Sequence, residues 1–203
     1  MRNDFSCPLK AYLAIELYDK NGDLLYKQKQ PVRSFLYNWT KALYGLSYEH
    51  CRSQAATLKD TGGTDRAYPN LYNEGWDIFY LRPGEGGANR GLLVGNGTTA
   101  VTLDDYNLAS KIAHGTGAGQ LHYYETNTRH YTDSDRSYLE VSRRFYNESG
   151  GDITVSEVGL VFSEQDASNV KYFFLILRDL LDPAVTVANY QTLIVKYIFE
   201  FLL

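Results

Sequence analysis

Apolar and polar residues alternate over the second half of residues 11–18, and a second run follows from Leu24 to Lys29. Asp19-Lys20-Asn21-Gly22 lies between them, and two such runs joined through Asn-Gly predict a β-hairpin. The period then changes. Phe35, Leu36, Trp39, Ala42, Leu43 and Leu46 recur at helical spacing, which predicts one short helix with Ser34 as N-cap and Gly45 near its end. Residues 47–75 are polar and aperiodic and read as a long loop. Trp76 to Leu81 reads as a short strand, closed by Arg82-Pro83-Gly84-Glu85-Gly86-Gly87.

From Leu92 onward, short apolar segments are separated by turn residues. Strands are predicted at 121–127 and 137–146, with a turn at Asn147–Asp152. Val158, Leu160 and Phe162 share one face of an alternating run, and an apolar run follows at 170–178. Leu193, Val195, Tyr197, Phe199 and Phe201 share a face of the last run. Regular strands with turns between them predict a mainly β chain: an antiparallel, jelly-roll-like β-sandwich with an N-terminal hairpin and one short helix. The one candidate boundary lies near residue 90. Residues 1–90 form a hairpin, helix and long loop, either a docking appendage or part of the same domain, and 91–203 form the sandwich.

Composition adds to this picture. The chain of 203 residues holds 18 Tyr and 17 Gly, which suits pleated, half-buried surfaces and tight turns. A net charge of −4 and the lack of any Lys/Arg run argue against a nucleic-acid partner. Cys7 and Cys51 form no disulfide or zinc pattern and are expected to be reduced thiols. Met1 to Lys10 lacks a secretory apolar core, and the apolar run from Thr192 to Leu203 is short and interrupted by Lys196 and Glu200. No membrane partner is expected.

The candidate chemistry is sparse. Gly95-Asn96-Gly97 and Gly115-Thr116-Gly117-Ala118-Gly119 lack the lysine of a phosphate loop and the dinucleotide fingerprint, so they read as turns. His114, His122 and His130 recur every eight residues, which on one strand separates neighbours by roughly 26 Å. Metal binding would need the chain to fold back. Asp104-Asp105 and Asp133-x-Asp135 do not suggest the separated carboxylates of a hydrolase, and Asp104 reads instead as the cap of a helical turn towards Leu108. No catalytic residue, metal or cofactor is therefore expected. Asn38, Asn96 and Asn147 match the glycosylation pattern by chance. Trp39, Tyr68, Tyr72 and Trp76 are candidate interface or glycan contacts, with Tyr123-Tyr124 a further aromatic pair. Glu157, within a strand, needs a partner such as Arg143 or Arg178, unless it is a solvated charge on the outer face. Gly159 in mid-strand suggests a bulge or the close approach of another backbone.

One stretch carries a resemblance. Val94-Gly95-Asn96-Gly97-Thr98-Thr99-Ala100-Val101-Thr102, followed by Asp104-Asp105-Tyr106-Asn107-Leu108 and Ile112, resembles a motif of tailed-phage virion proteins, including tail-collar fibre proteins. Phe145-Tyr146-Asn147, Gly150-Gly151 and Ile153-Thr154-Val155-Ser156-Glu157-Val158-Gly159-Leu160 resemble the core of such proteins, and Leu177-Arg178-Asp179 with Val185 to Tyr197 is similar to their closing strands. The match spans roughly residues 92–201, and Gly95, Gly97, Thr98, Thr99, Glu157 and Gly159 carry it. The resemblance implies a β-sandwich without catalysis, located in the virion after assembly in the host cytoplasm. Its expected partners are itself, as a symmetric and often three-fold oligomer, and other virion proteins such as major capsid or tail proteins. Its implied place is the capsid, as a decoration or minor capsid subunit, or the tail and neck. A carbohydrate-binding module that recognises a receptor or host glycan is the alternative.

Overall fold

The computed structural model describes residues 9–47, 56–68, 79–166 and 168–202. These residues form antiparallel strands and a single helix: β1 (Leu9–Tyr18), β2 (Leu24–Pro31), α1 (Tyr37–Leu46), β3 (Ala56–Lys59), β4 (Asp65–Tyr68), β5 (Gly91–Gly95), β6 (His122–Thr132), β7 (Arg136–Tyr146), β8 (Ile153–Gln165), β9 (Lys171–Val187) and β10 (Thr192–Leu202). A five-stranded sheet runs β2-β1-β10-β7-β6, a three-stranded sheet runs β5-β8-β9, and β3-β4 is a small ribbon.

The two larger sheets face each other across one apolar cluster in a sandwich-like arrangement. Side chains cross the gap. Tyr123 of β6 donates to the Ile112 carbonyl at 2.6 Å, and Tyr197 of β10 donates to Asp179 Oδ2 of β9 at 2.9 Å. Alternation predicts the inner face of β10 well. Leu193, Val195, Tyr197 and Phe199 are buried, and only Phe201, at the strand's end, is exposed. β8 is buried on both faces because the connection after β5 lies over its outer side. Bulges at Val155/Glu157 and Leu160/Val161 break its simple alternation.

The N-terminal hairpin belongs to the larger sheet. β1 pairs with β10 over ten residues, from Leu9↔Phe201 to Tyr18↔Thr192, and β2 pairs with β1 as the edge. A boundary near residue 90 therefore does not divide the sheets. The turn of this hairpin is also wider than an Asn-Gly turn. Asp19 N–H donates to Asp23 O, while Asp19 Oδ1 accepts from the N–H groups of Asn21 and Asp23 at 2.8 and 2.9 Å. Asp60 and Asp166 close the β3–β4 and β8–β9 hairpins in the same way, each accepting from the second and fourth residues onward. The fourth loop residue has positive φ in all three: Gly22 at 90°, Gly63 at 84° and Asn169 at 64°. The operative signal is an aspartate three residues before a glycine or asparagine.

The helix differs from its prediction in cap and face. Its N-cap is Leu36, which makes no side-chain cap bond, and Ser34 lies upstream. Phe35 bridges Leu177, and Leu36 N–H donates to Ile176 O, so this segment covers the edge of β9 before the helix begins. The buried face is Asn38, Ala42 and Gly45, while Leu43 and Leu46 are exposed. Asn38 faces inward because it satisfies strand ends there: its amide donates to Lys59 O and Leu175 O, and its oxygen accepts from Lys59 N–H. The predicted 47–75 loop contains the β3–β4 hairpin, anchored by buried Leu58 and Tyr68; its residues 48–55 and 69–75 lie outside the described residues. Of the strand predicted from Trp76 to Leu81, Tyr80 bridges Ser163, and residues 76–78 lie outside the described residues.

Candidate functional site

Glu157 is the centre of the one site that gathers the resemblance residues. It stands on β8 opposite Leu180 and is 0 % exposed. Its carboxylate accepts from Gly97 N–H at 3.2 Å, Ala109 N–H at 3.1 Å and Ser110 N–H at 2.7 Å. Arg178 on β9, 2 % exposed, donates Nε to Glu157 Oε2 at 2.8 Å. Of the two arginines considered, Arg178 is the partner, and the solvated-charge alternative is overturned by burial. The guanidinium continues outward: Nη1 donates to Asp105 Oδ2 at 2.6 Å and Nη2 to Thr99 O at 2.9 Å. Asp105 in turn accepts from the Thr102 N–H and hydroxyl.

The glycines are needed here for space. A Cβ on Gly95 would sit 2.5 Å from Glu157 Oε1 and from Ser110 O, and one on Gly97 would sit 2.5 Å from the same carboxylate oxygen. Gly159 is a point of close approach, where a Cβ would lie 2.8 Å from both Leu108 Cδ2 and Leu175 Cδ1. Thr98 and Thr99 are exposed, and Thr99 contributes only its carbonyl. The arrangement fastens the 95–110 connection onto β8 and β9. Burial opposes the Arg178 charge, but its bonds to Asp105 and Glu157 outweigh that and raise its pKa. Burial also works to raise the Asp105 carboxyl, and the Arg178 bond overcomes this and lowers it. All these charges and donors are engaged with one another, so the cluster is built to hold a loop. The sequence predicts a helix cap at Asp104. The structure gives no helix there and uses Asp105 instead. The Thr102-x-x-Asp105 spacing was the available signal.

A second buried arginine fastens another connection. Arg143 on β7 is 1 % exposed and donates to four carbonyls: Tyr124 O and Gly87 O at 2.7 Å, Leu92 O at 3.0 Å and Arg90 O at 3.4 Å. The Tyr123 ring lies 4.7 Å from its guanidinium. No carboxylate is among these partners, and burial lowers its pKa to about 10.

The aromatic candidates separate. Trp39 packs inward, stacked on Phe199 at 5.8 Å and tilted against Phe35 at 5.3 Å. Tyr68 is 0 % exposed, edge-on to Phe162 and Phe174. Burial closes Tyr68 to a sugar, while Trp39 is half-buried. Tyr72 and Trp76, with Cys7, His50 and Cys51, lie outside the described residues. Tyr123 is buried, while Tyr124 is half-buried on the outer face. On that face other tyrosine rings are also occupied: Lys29 lies over Tyr12 at 3.9 Å, and Tyr131 stacks on Tyr138 at 4.7 Å.

The chain folds back at one pair of histidines. Residues 114–121 turn back, His114 bridging Leu121, and the His114 and His122 rings come within 5.1 Å. His130 instead contacts Ser137. His114 Nδ1 accepts from Tyr123 N–H at 3.0 Å, which commits that lone pair. His122 Nε2 lies 2.6 Å from Glu85 Oε1. Among the described residues, no group of three or more His, Cys, Asp or Glu is placed to hold a metal. No described helix is long and apolar enough to cross a membrane. Two of the apparent glycosylation sites, Asn38 and Asn147, are buried and hydrogen-bonded to carbonyls.

A cavity of about 430 Å³ lies beside Asp179, lined by Gln30, Arg33, Ser34 and Asp182 among others. Asp179 is 3 % exposed and accepts from Arg33 N–H at 3.2 Å and from the Tyr197 hydroxyl at 2.9 Å. Burial nevertheless dominates and raises its pKa. No protein-family model matches the chain, no curated protein matches it, and no solved structure matches it.

Proposed function

We propose that this chain is a non-enzymatic structural protein of a tailed-phage virion, assembling as a symmetric oligomer on the capsid or in the tail and neck. The observation that carries this reading is the meeting of the resembling stretches. Val94–Leu108 is remote in sequence from Ile153–Leu160 and Leu177–Asp179, which lie on the paired strands β8 and β9, yet Glu157, Arg178, Gly97 and Asp105 join it to them through direct hydrogen bonds. A resemblance scattered over unrelated surface positions would carry no such weight.

The strand edges support an assembly that does not depend on strand addition to the smaller sheet. The outer edge of β9 is occupied by Leu36 N–H, Asn38 and Thr61 N–H, and farther along by Gln28 and Gln30, which donate to Asp182 O and Leu180 O. The β5 edge is occupied by Ile112 N–H on Val94 O. The β2 edge carries Lys27 and Lys29 and ends at Pro31, features that discourage edge pairing. The start of the β6 edge is occupied too, by Gly86 N–H on Tyr123 O and by Pro83 O, which accepts from Thr126 N–H, so faces, loops and the rest of β6 are left for contacts, as suits a decoration or collar subunit. Light scattering of the purified chain and negative-stain imaging of particles with labelled protein test the reading. A closed oligomer, three-fold being expected, that binds particles is the predicted result. A strict monomer that stays off particles would refute it.

A further inference from the structure

β6 and β7 fall out of step between Tyr123 and Thr126. Tyr123 pairs with Phe145 and Thr126 with Arg143, so Tyr124 and Glu125 together oppose Arg144. A bulge of this kind re-aims the side chains it carries. It is held from beneath, because buried Arg143 donates Nε to Tyr124 O at 2.7 Å. Its result on the outer face is a Tyr124 ring with the Arg144 guanidinium 3.6 Å above it. Stacking of this sort fixes an arginine without neutralising it. Other cations of this face are spent: Lys27 and Lys196 both pair with Glu16, and Arg136 pairs with Glu200. No described carboxylate pairs with Arg144, which is exposed.

Beside Arg144 is a concavity of about 350 Å³, into which Glu125, Asn127, Ser142, Ile194 and Lys196 also face. From this geometry we infer that the β6 bulge is a binding site for an acidic saccharide, a sugar ring bearing one carboxylate. The guanidinium fork matches a carboxylate in shape and charge. Glu125 accepts from sugar hydroxyls, Asn127 and Ser142 donate and accept, and Ile194 offers an apolar floor to ring C–H groups. A phosphate dianion is disfavoured because Glu125 shares the site with Arg144. A neutral sugar leaves Arg144 unused. The Tyr124 face is covered by Arg144, so the ring serves as a platform for the arginine and not as a stacking surface for the sugar. The site adds a ligand to the assembly role proposed above and does not rest on it.

Titration of the full-length chain with glucuronate, glucose and inorganic phosphate, followed by amide NMR shifts and calorimetry, tests the site. Glucuronate is expected to shift residues around the bulge and to bind about tenfold more tightly than glucose, a gap typical of one charge-assisted contact. Arg144→Gln abolishes the gap. Tyr124→Leu narrows it, because the arginine is then charged but no longer held. Melting curves confirm that both variants remain folded. Equal binding of glucose and glucuronate, phosphate binding as tight as glucuronate, unchanged binding by Arg144→Gln, or no glucuronate binding at all would each overturn the site. A chain that binds glucuronate yet stays monomeric and off particles would refute the assembly reading alone.

Discussion

Arg178 and Arg143 are both almost fully buried, and each fastens a long connection to the sandwich, but they do so by different physics. Arg178 works through anions. It meets Glu157 and Asp105, and its pKa is raised. Arg143 works through a crown of four carbonyls and an aromatic face, and its pKa falls to about 10. The ion-paired device is brittle, because removing one partner strands a charge in the interior. The carbonyl device leaves only neutral acceptors behind, three of them on the half-buried residues Gly87, Arg90 and Tyr124. The first therefore defines one loop position sharply, and the second tolerates adjustment.

The largest expected effect is from Arg178→Met, which strands Glu157 and should cost about 3–5 kcal/mol in urea unfolding. Adding Glu157→Gln should recover part of that loss, since the stranded charge is gone. Arg143→Met should cost less, about 1–3 kcal/mol, because it strands acceptors only. A cost equal to that of Arg178→Met would break the comparison. Gly97→Ala should fall in a similar range of about 1–3 kcal/mol, since its Cβ overlaps Glu157 Oε1 and must displace the loop.

Asp179→Asn probes a third buried charge through pH. Burial raises the folded-state pKa of Asp179. Its contribution to stability is then fully present below the ordinary carboxylate value, about pH 4, and is lost as pH rises through the raised folded value. Melting temperatures should therefore shift in favour of Asp179→Asn as pH increases from 4 to 7, and a gap independent of pH would refute the assignment. The smallest effect belongs to Lys27→Ala. Lys27 is 61 % exposed where it meets Glu16, so about 0–1 kcal/mol, diminishing with salt, is expected in thermal melts.

How far the chain was legible follows from the range of the signals. The inner face of β10 was readable from Leu193 to Phe199, because strand alternation is local and that strand is covered on one side. The helix was located, but its buried face was misread. Asn38 looks like a surface residue until two strand carbonyls and an amide are placed around it. Tyr68 looked like an exposed ring in a loop, and a short hairpin buries it. The histidine pair is not legible in the eight-residue spacing, which separates the rings on one extended strand, because residues 114–121 double back.

The sequence by itself determined the antiparallel β architecture, the location of the turns after β1 and β7, and the choice at Glu157 between a cross-strand partner and a solvated charge. Those depend on neighbours within a few residues, or on the cost of an unpaired charge inside a strand. Only the tertiary structure decided that the partner is Arg178, that Asp105 joins it, and that Tyr124 and Arg144 meet over a bulge. These pairings are set by register between strands, and one inserted residue in β6 or β8 changes which side chains face each other.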